Sequence, residues 1–181
     1  MGDPANNQTE RNAEIVNWWK QLVTPPEKGQ PSRRGELAQL RRCRNLEEVF
    51  FIPAYQHLFY QVKADHWGHE RLAAIAGLLA NVKESVPEAD AADQSKTVAN
   101  ILATPTKPGM GPRVSELRFQ RLVAIKDIPE LYPALRRIIH LAGDRVPVPD
   151  LIQSVRYWSE KTRSDWTFRY YDTLLKTEGT H

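Results

Sequence analysis

Apolar residues recur three and four positions apart along the whole 181-residue chain, and no stretch alternates apolar and polar positions for long enough to make a half-buried strand. This periodicity predicts an all-α fold. Ile15, Trp18, Trp19 and Leu22 make one such stripe, on a helix over 10–23 capped by Thr9, with residues up to about Gln8 frayed. Adjacent tryptophans point in different directions on a helix. One is expected to anchor the core and the other to pack a neighbouring segment or a partner, and a structural role for both is favoured over a binding role.

Prolines and glycines punctuate the rest of the chain. Thr24–Pro31 reads as a loop, and Ser32 caps a short helix through Arg44 with Leu37 and Leu40 inward. Asn45 to Glu48 resembles a capping box opening a short apolar segment over 49–52. Pro53 then starts a helix through Val62 with Tyr55, Leu58 and Phe59 facing in. The small residues Ala73, Ala76, Gly77 and Ala80 allow close helix packing, so the helix over 70–83 is expected at the centre of an N-terminal bundle. An acidic exposed loop over 84–94 and a helix over 96–103 capped by Ser95 come next.

The segment TPTKPGMGP over 104–112 packs three prolines and two glycines into nine residues, which marks a hinge or domain boundary. It divides the chain into two small helical bundles, 1–104 and 105–181. After Pro112, the residues Val114, Leu117, Phe119, Leu122, Val123 and Ile125 do not fit one narrow stripe, which predicts a helix lying between others. Asp127 as N-cap, Pro129 in the first turn and Glu130 at N3 open the next helix, and Gly143 closes it. Helices over 150–158 and 161–176 complete the chain.

Charge is moderate in total, net +3 with a pI near 9.0, so its distribution decides what it means. Through Ala103 there are 12 basic and 13 acidic residues; from Thr104 on, 13 and 9. Within the first half, Lys28–Arg44 holds six basic residues and one acidic. A fork of guanidinium donors matches phosphate oxygens in a way that an ammonium does not, so five arginines between Arg33 and Arg44 lean toward phosphate contact rather than a merely solvated rim. Arg118 and Arg121 carry charge on the helix expected to be enclosed, with Arg113 just before it, and an anionic partner would account for them. Lys161 and Arg163 stand in the first turn of the last helix, against its dipole.

Several chemistries are absent. One cysteine, Cys43, allows no internal disulfide and no multi-thiolate metal site, and fits a reducing compartment. Its arginine neighbours could lower its pKa, but no histidine partner is evident. His57, His66 and His69 do not fall into a metal-ligand spacing. Neither a phosphate-cradling glycine loop nor a nucleophile with its base is present. No signal sequence, myristoylation pattern or membrane span is visible, so a cytoplasmic protein without metal or cofactor is expected.

Six pieces, in order over roughly residues 10–172, resemble the CasB family, the small subunit of the type I-E CRISPR Cascade complex. They are Trp18-Trp19 with Leu22, RGELAQLRR over Arg34–Arg42, Pro53 with Ala54, SELRFQRL over Ser115–Leu122, Leu135 with Arg136 and Arg137, and Trp158. The N-terminal tail and the acidic loop depart from that pattern and carry no role over. The resemblance implies two helical bundles and two copies arranged head to tail in an antiviral ribonucleoprotein with guide RNA and larger subunits. In that family the small subunit helps hold the target duplex open, contacting the displaced strand of the R-loop. On this reading Arg41, Arg42, Arg113, Arg118, Arg136, Arg137, Lys161 and Arg163 contact nucleic acid. Arg34, Arg44 and Arg121 form a second rank, since each could pair with Glu36, Glu47 or Glu116. The competing reading is a helical adaptor whose basic face meets an acidic protein. A small thiol or imidazole enzyme is a third.

Overall fold

The computed structural model describes residues 4–28, 31–63, 68–86 and 97–178, with side chains from Thr9 to Thr177. The described elements are, in order, α1 (Pro4–Val23), α2 (Arg34–Arg42), α3 (Leu46–Phe50), α4 (Pro53–Gln61), α5 (His69–Leu79), β1 (Glu84–Ser85), α6 (Val98–Ala103), α7 (Glu116–Ala124), α8 (Ile128–Leu141), β2 (Arg145–Val146), α9 (Val148–Arg156) and α10 (Glu160–Glu178). The fold is all-α, as the periodicity predicts. The strands β1 and β2 pair in parallel, Glu84 opposite Arg145 and Ser85 opposite Val146. Two-residue strands are too short to display a period, which is why the sequence does not reveal them.

At the centre lies α5, in which every residue from Leu72 to Leu79 is buried. A helix that is apolar on all sides must be enclosed, and α5 packs against α3, α8 and α9. Its small residues permit the approach of α8: a Cβ added to Gly77 would stand 2.7 Å from the Tyr132 ring and hydroxyl. Both tryptophans of α1 are buried, Trp18 donating from Nε1 to Ala54 O at 3.2 Å and Trp19 to Val82 O at 3.3 Å. Each ring thus fills core while its polar edge satisfies a backbone carbonyl, so neither faces a partner.

Helix starts obey local chemistry, with some shifts. The first helix begins at Pro4, ahead of the expected Glu10. Asn45 Oδ1 accepts from Glu48 N at 2.9 Å, while the Glu48 carboxylate reaches back one residue further than a capping box requires, to Arg44 N at 2.7 Å. The Ser95 cap, His66 and most of the acidic loop lie outside the described residues. Thr97 caps α6, bonded to Asn100 in a reciprocal box, and the Asp150 carboxylate accepts from Val98 N at 2.8 Å.

One expectation fails in α7. Only Phe119 and Leu122 of the helix are buried, and Leu117 is 58% exposed. Val114 is buried but precedes the helix, and Ile125 is its C-cap. The helix is therefore one-sided, and its arginines stand on the open side rather than in an enclosed layer.

Candidate nucleic-acid interface

A helix leaves its last carbonyls without intrahelical partners, and its C-terminal end carries partial negative charge. Here five half-buried arginines, each rooted elsewhere in the chain, supply those carbonyls with donors. Arg41 donates from Nε to Ala80 O at the end of α5, 2.7 Å. Arg136 places Nη1 on Cys43 O at 2.6 Å and Nη2 on Arg41 O at 2.7 Å, closing α2. Arg113 donates to Ala142 O at the end of α8, 2.9 Å, and Arg163 to Val123 O in the last turn of α7, 3.3 Å. Arg71, which the sequence did not single out, bridges Val155 O and Arg156 O at the end of α9.

Four of the eight first-rank candidates, Arg41, Arg113, Arg136 and Arg163, are thus engaged on the chain's own carbonyls, three of them joining helix to helix and Arg113 tying the segment before α7 to the end of α8. Arg163 spans two helix ends: Nη1 donates to Val123 O at the negative end of α7, while Nε stays on Ser159 O at the start of its own helix, 3.3 Å. No sequence signal separates such an arginine from a solvated one. Burial by a partner helix far along the chain makes the distinction.

The other candidates, Arg42, Arg118, Arg137, Lys161, Arg34, Arg44 and Arg121, are exposed. Their side chains make no hydrogen bond or ion pair among the described residues. Of the carboxylates that could have neutralised the second rank, Glu36 pairs with Arg33 at 2.7 Å, and Glu47 and Glu116 form no ion pair among the described residues. Arg34, Arg41 and Arg42 line one open groove with Arg33, between α2 and the segment Leu22–Pro26. Arg136 seats α8 on the end of that same helix, and Arg137, its neighbour in sequence, is exposed. Arg163 ties the start of α10, which carries Lys161, to the last turn of α7, which carries Arg121.

Cys43 does not behave as an activated thiol. Burial, reinforced by Glu48, pushes its pKa up, and Arg136 only partly opposes this. Among the described residues no three His, Cys, Asp or Glu side chains gather as a metal site. His69 stacks on Phe59, with centroids 4.8 Å apart. No helix among the described residues is long and apolar enough to cross a membrane.

These features describe a basic all-helical protein that presents free cations from helices clamped at their ends. A sequence profile for CRISPR-associated protein Cse2 matches residues 36–171, and the chain belongs to that family, which its motifs resemble under the name CasB. No curated protein sequence matches significantly. Among solved structures, the fold is similar to a chain of E. coli Cascade bound to a PAM-containing double-stranded DNA target, with 20% identity, TM-score 0.66, and coverage of 91% of this chain and 96% of that one. It is also similar to M. ruber CasB, with 19% identity, TM-score 0.64, and coverage of 94% and 97%.

Proposed function

We propose that this chain is a non-catalytic small subunit that binds nucleic acid within a CRISPR RNA-guided surveillance complex and stabilises the separated strands of target DNA through phosphate contacts. It assembles with guide RNA, target DNA, the larger Cascade subunits and a second copy of itself. The observation that carries the reading is the set of exposed cations without partners among the described residues, above all Arg42 and Arg44 at the end of α2 and Arg137 on α8. An unpaired guanidinium on a rigid helix breaks no internal bond when it meets a phosphate, and its planar fork loses less freedom per hydrogen bond formed than an ammonium does. Exchange of a DNA duplex for an RNA–DNA heteroduplex is nearly balanced, so a few backbone contacts to the freed strand suffice to tip it.

The described residues offer exposed cations and, among them, no element shaped to enter a groove, so the grip is on phosphate and tolerates any sequence. With about five phosphate contacts to a single strand, log K falls against log salt with a slope near -3.5. Charge reversal at Arg42 and Arg137 is expected to weaken retardation of generic single-stranded DNA and flatten that slope. Unchanged binding in the double variant sinks the reading.

Exposed Leu117, Phe168 and Leu175 favour a second reading, a helical adaptor for an acidic protein. An adaptor would leave single-stranded DNA unretarded at every salt concentration.

A further inference from the structure

The segment that carries Arg42 and Arg44 is held unusually firmly for the end of a short helix. Arg136 reaches it from α8 with both terminal nitrogens, at 2.6 Å to Cys43 O and 2.7 Å to Arg41 O. Tyr132, one turn earlier on α8, donates its hydroxyl to the same Cys43 carbonyl at 3.0 Å. From the other side, Glu48 takes the Arg44 backbone N–H at 2.7 Å. Four bonds therefore fix the main chain from Arg41 to Arg44, while the Arg42 and Arg44 side chains stay exposed and unpaired among the described residues.

A second consequence concerns charge. Open carbonyls at a helix C-terminus repel an approaching phosphate. Arg136 occupies two of them with a cation, so the end of α2 becomes a place where an anion is tolerated.

We infer that Arg136 is a positioning residue: it acts on bound phosphate through the α2 terminus, which it locks and neutralises, and the gripping is done by Arg42 and Arg44. The inference rests on the nucleic-acid role proposed above. It differs from the simpler assignment of Arg136 as one more phosphate contact.

Salt titration of single-stranded DNA binding separates the two. Arg42→Gln, which deletes a direct contact, lowers affinity and reduces the slope by about 0.7. Arg136→Gln lowers affinity by roughly fivefold to tenfold, the scale of ordering about one main-chain residue on binding, with the slope unchanged. In an Arg42→Gln/Arg44→Gln background, the further loss from Arg136→Gln disappears, because nothing remains for it to position.

A slope reduced as in Arg42→Gln, an affinity equal to wild type, or a loss that persists undiminished in the double background each overturns the inference. Should Arg136→Gln fail to fold by circular dichroism, Arg136→Lys carries the same three readouts, since it keeps the charge and forfeits the fork. If Arg42→Gln/Arg44→Gln itself leaves binding intact, the nucleic-acid reading of α2 fails, which is a separate outcome.

Discussion

Where α5 packs on α8, Gly77 lies against the hydroxyl end of Tyr132, and a methyl group at that position would sit 2.7 Å from the ring. Tyr132 is not free to swing aside, because its hydroxyl holds Cys43 O and burial keeps it un-ionised, with its pKa pushed up to about 12. Gly77→Ala gains helix preference, about 1 kcal/mol, but overpacking costs about 1–3 kcal/mol. The expected result is a lowered melting temperature by circular dichroism; a raised one would mean the ring relocates without loss. Small residues in this helix could be read directly from the sequence as a sign of close packing. Their partner could not, since nothing local to Tyr132 says which glycine it covers. The arginines show the same limit more sharply: their chemistry was legible, but whether each met a carbonyl or open water depended on helices distant in sequence.

The end of α8 shows how an element is finished by its neighbours. Gly143 adopts φ +81°, Asp144 N donates to Ile139 O and Gly143 N to His140 O, the paired bonds of a Schellman motif. The glycine stop was evident from sequence. The part played by the next residue was not: Asp144 is buried, holds φ +60°, and accepts from Lys83 at 2.7 Å and His140 at 2.6 Å. Burial alone would raise its pKa, but bonds and charge from Lys83 and His140 outweigh burial and hold the carboxyl below its usual range. A group whose folded pKa is depressed stabilises above its unfolded value, near 3.8, and loses that contribution as pH falls through the folded one. Thermal stability should therefore drop below about pH 4. Asp144→Asn, which tolerates the same backbone conformation, should lower stability at neutral pH and shrink the acid-induced drop. An identical pH profile in the variant would remove Asp144 from the account.

At the scale of the whole molecule, the proline- and glycine-rich 104–112 segment suggested a division into 1–104 and 105–181, and we keep that division as a proposal about folding units. Packing of α5 against α8 and α9 makes the two segments share buried surface. One cooperative calorimetric transition is expected; two resolved transitions would make the segments independent. The clamped helix ends carry a last consequence. Since guanidinium groups on Arg41, Arg71, Arg113, Arg136 and Arg163 tie distant segments to helix ends through carbonyls, a denaturant that is itself a guanidinium salt competes for those same oxygens, and urea, being uncharged, does so less. Guanidinium chloride ordinarily acts about twice as steeply as urea. For this protein the ratio of urea to guanidinium chloride midpoints should exceed that factor, and replacing the five arginines by lysine should bring it back toward two.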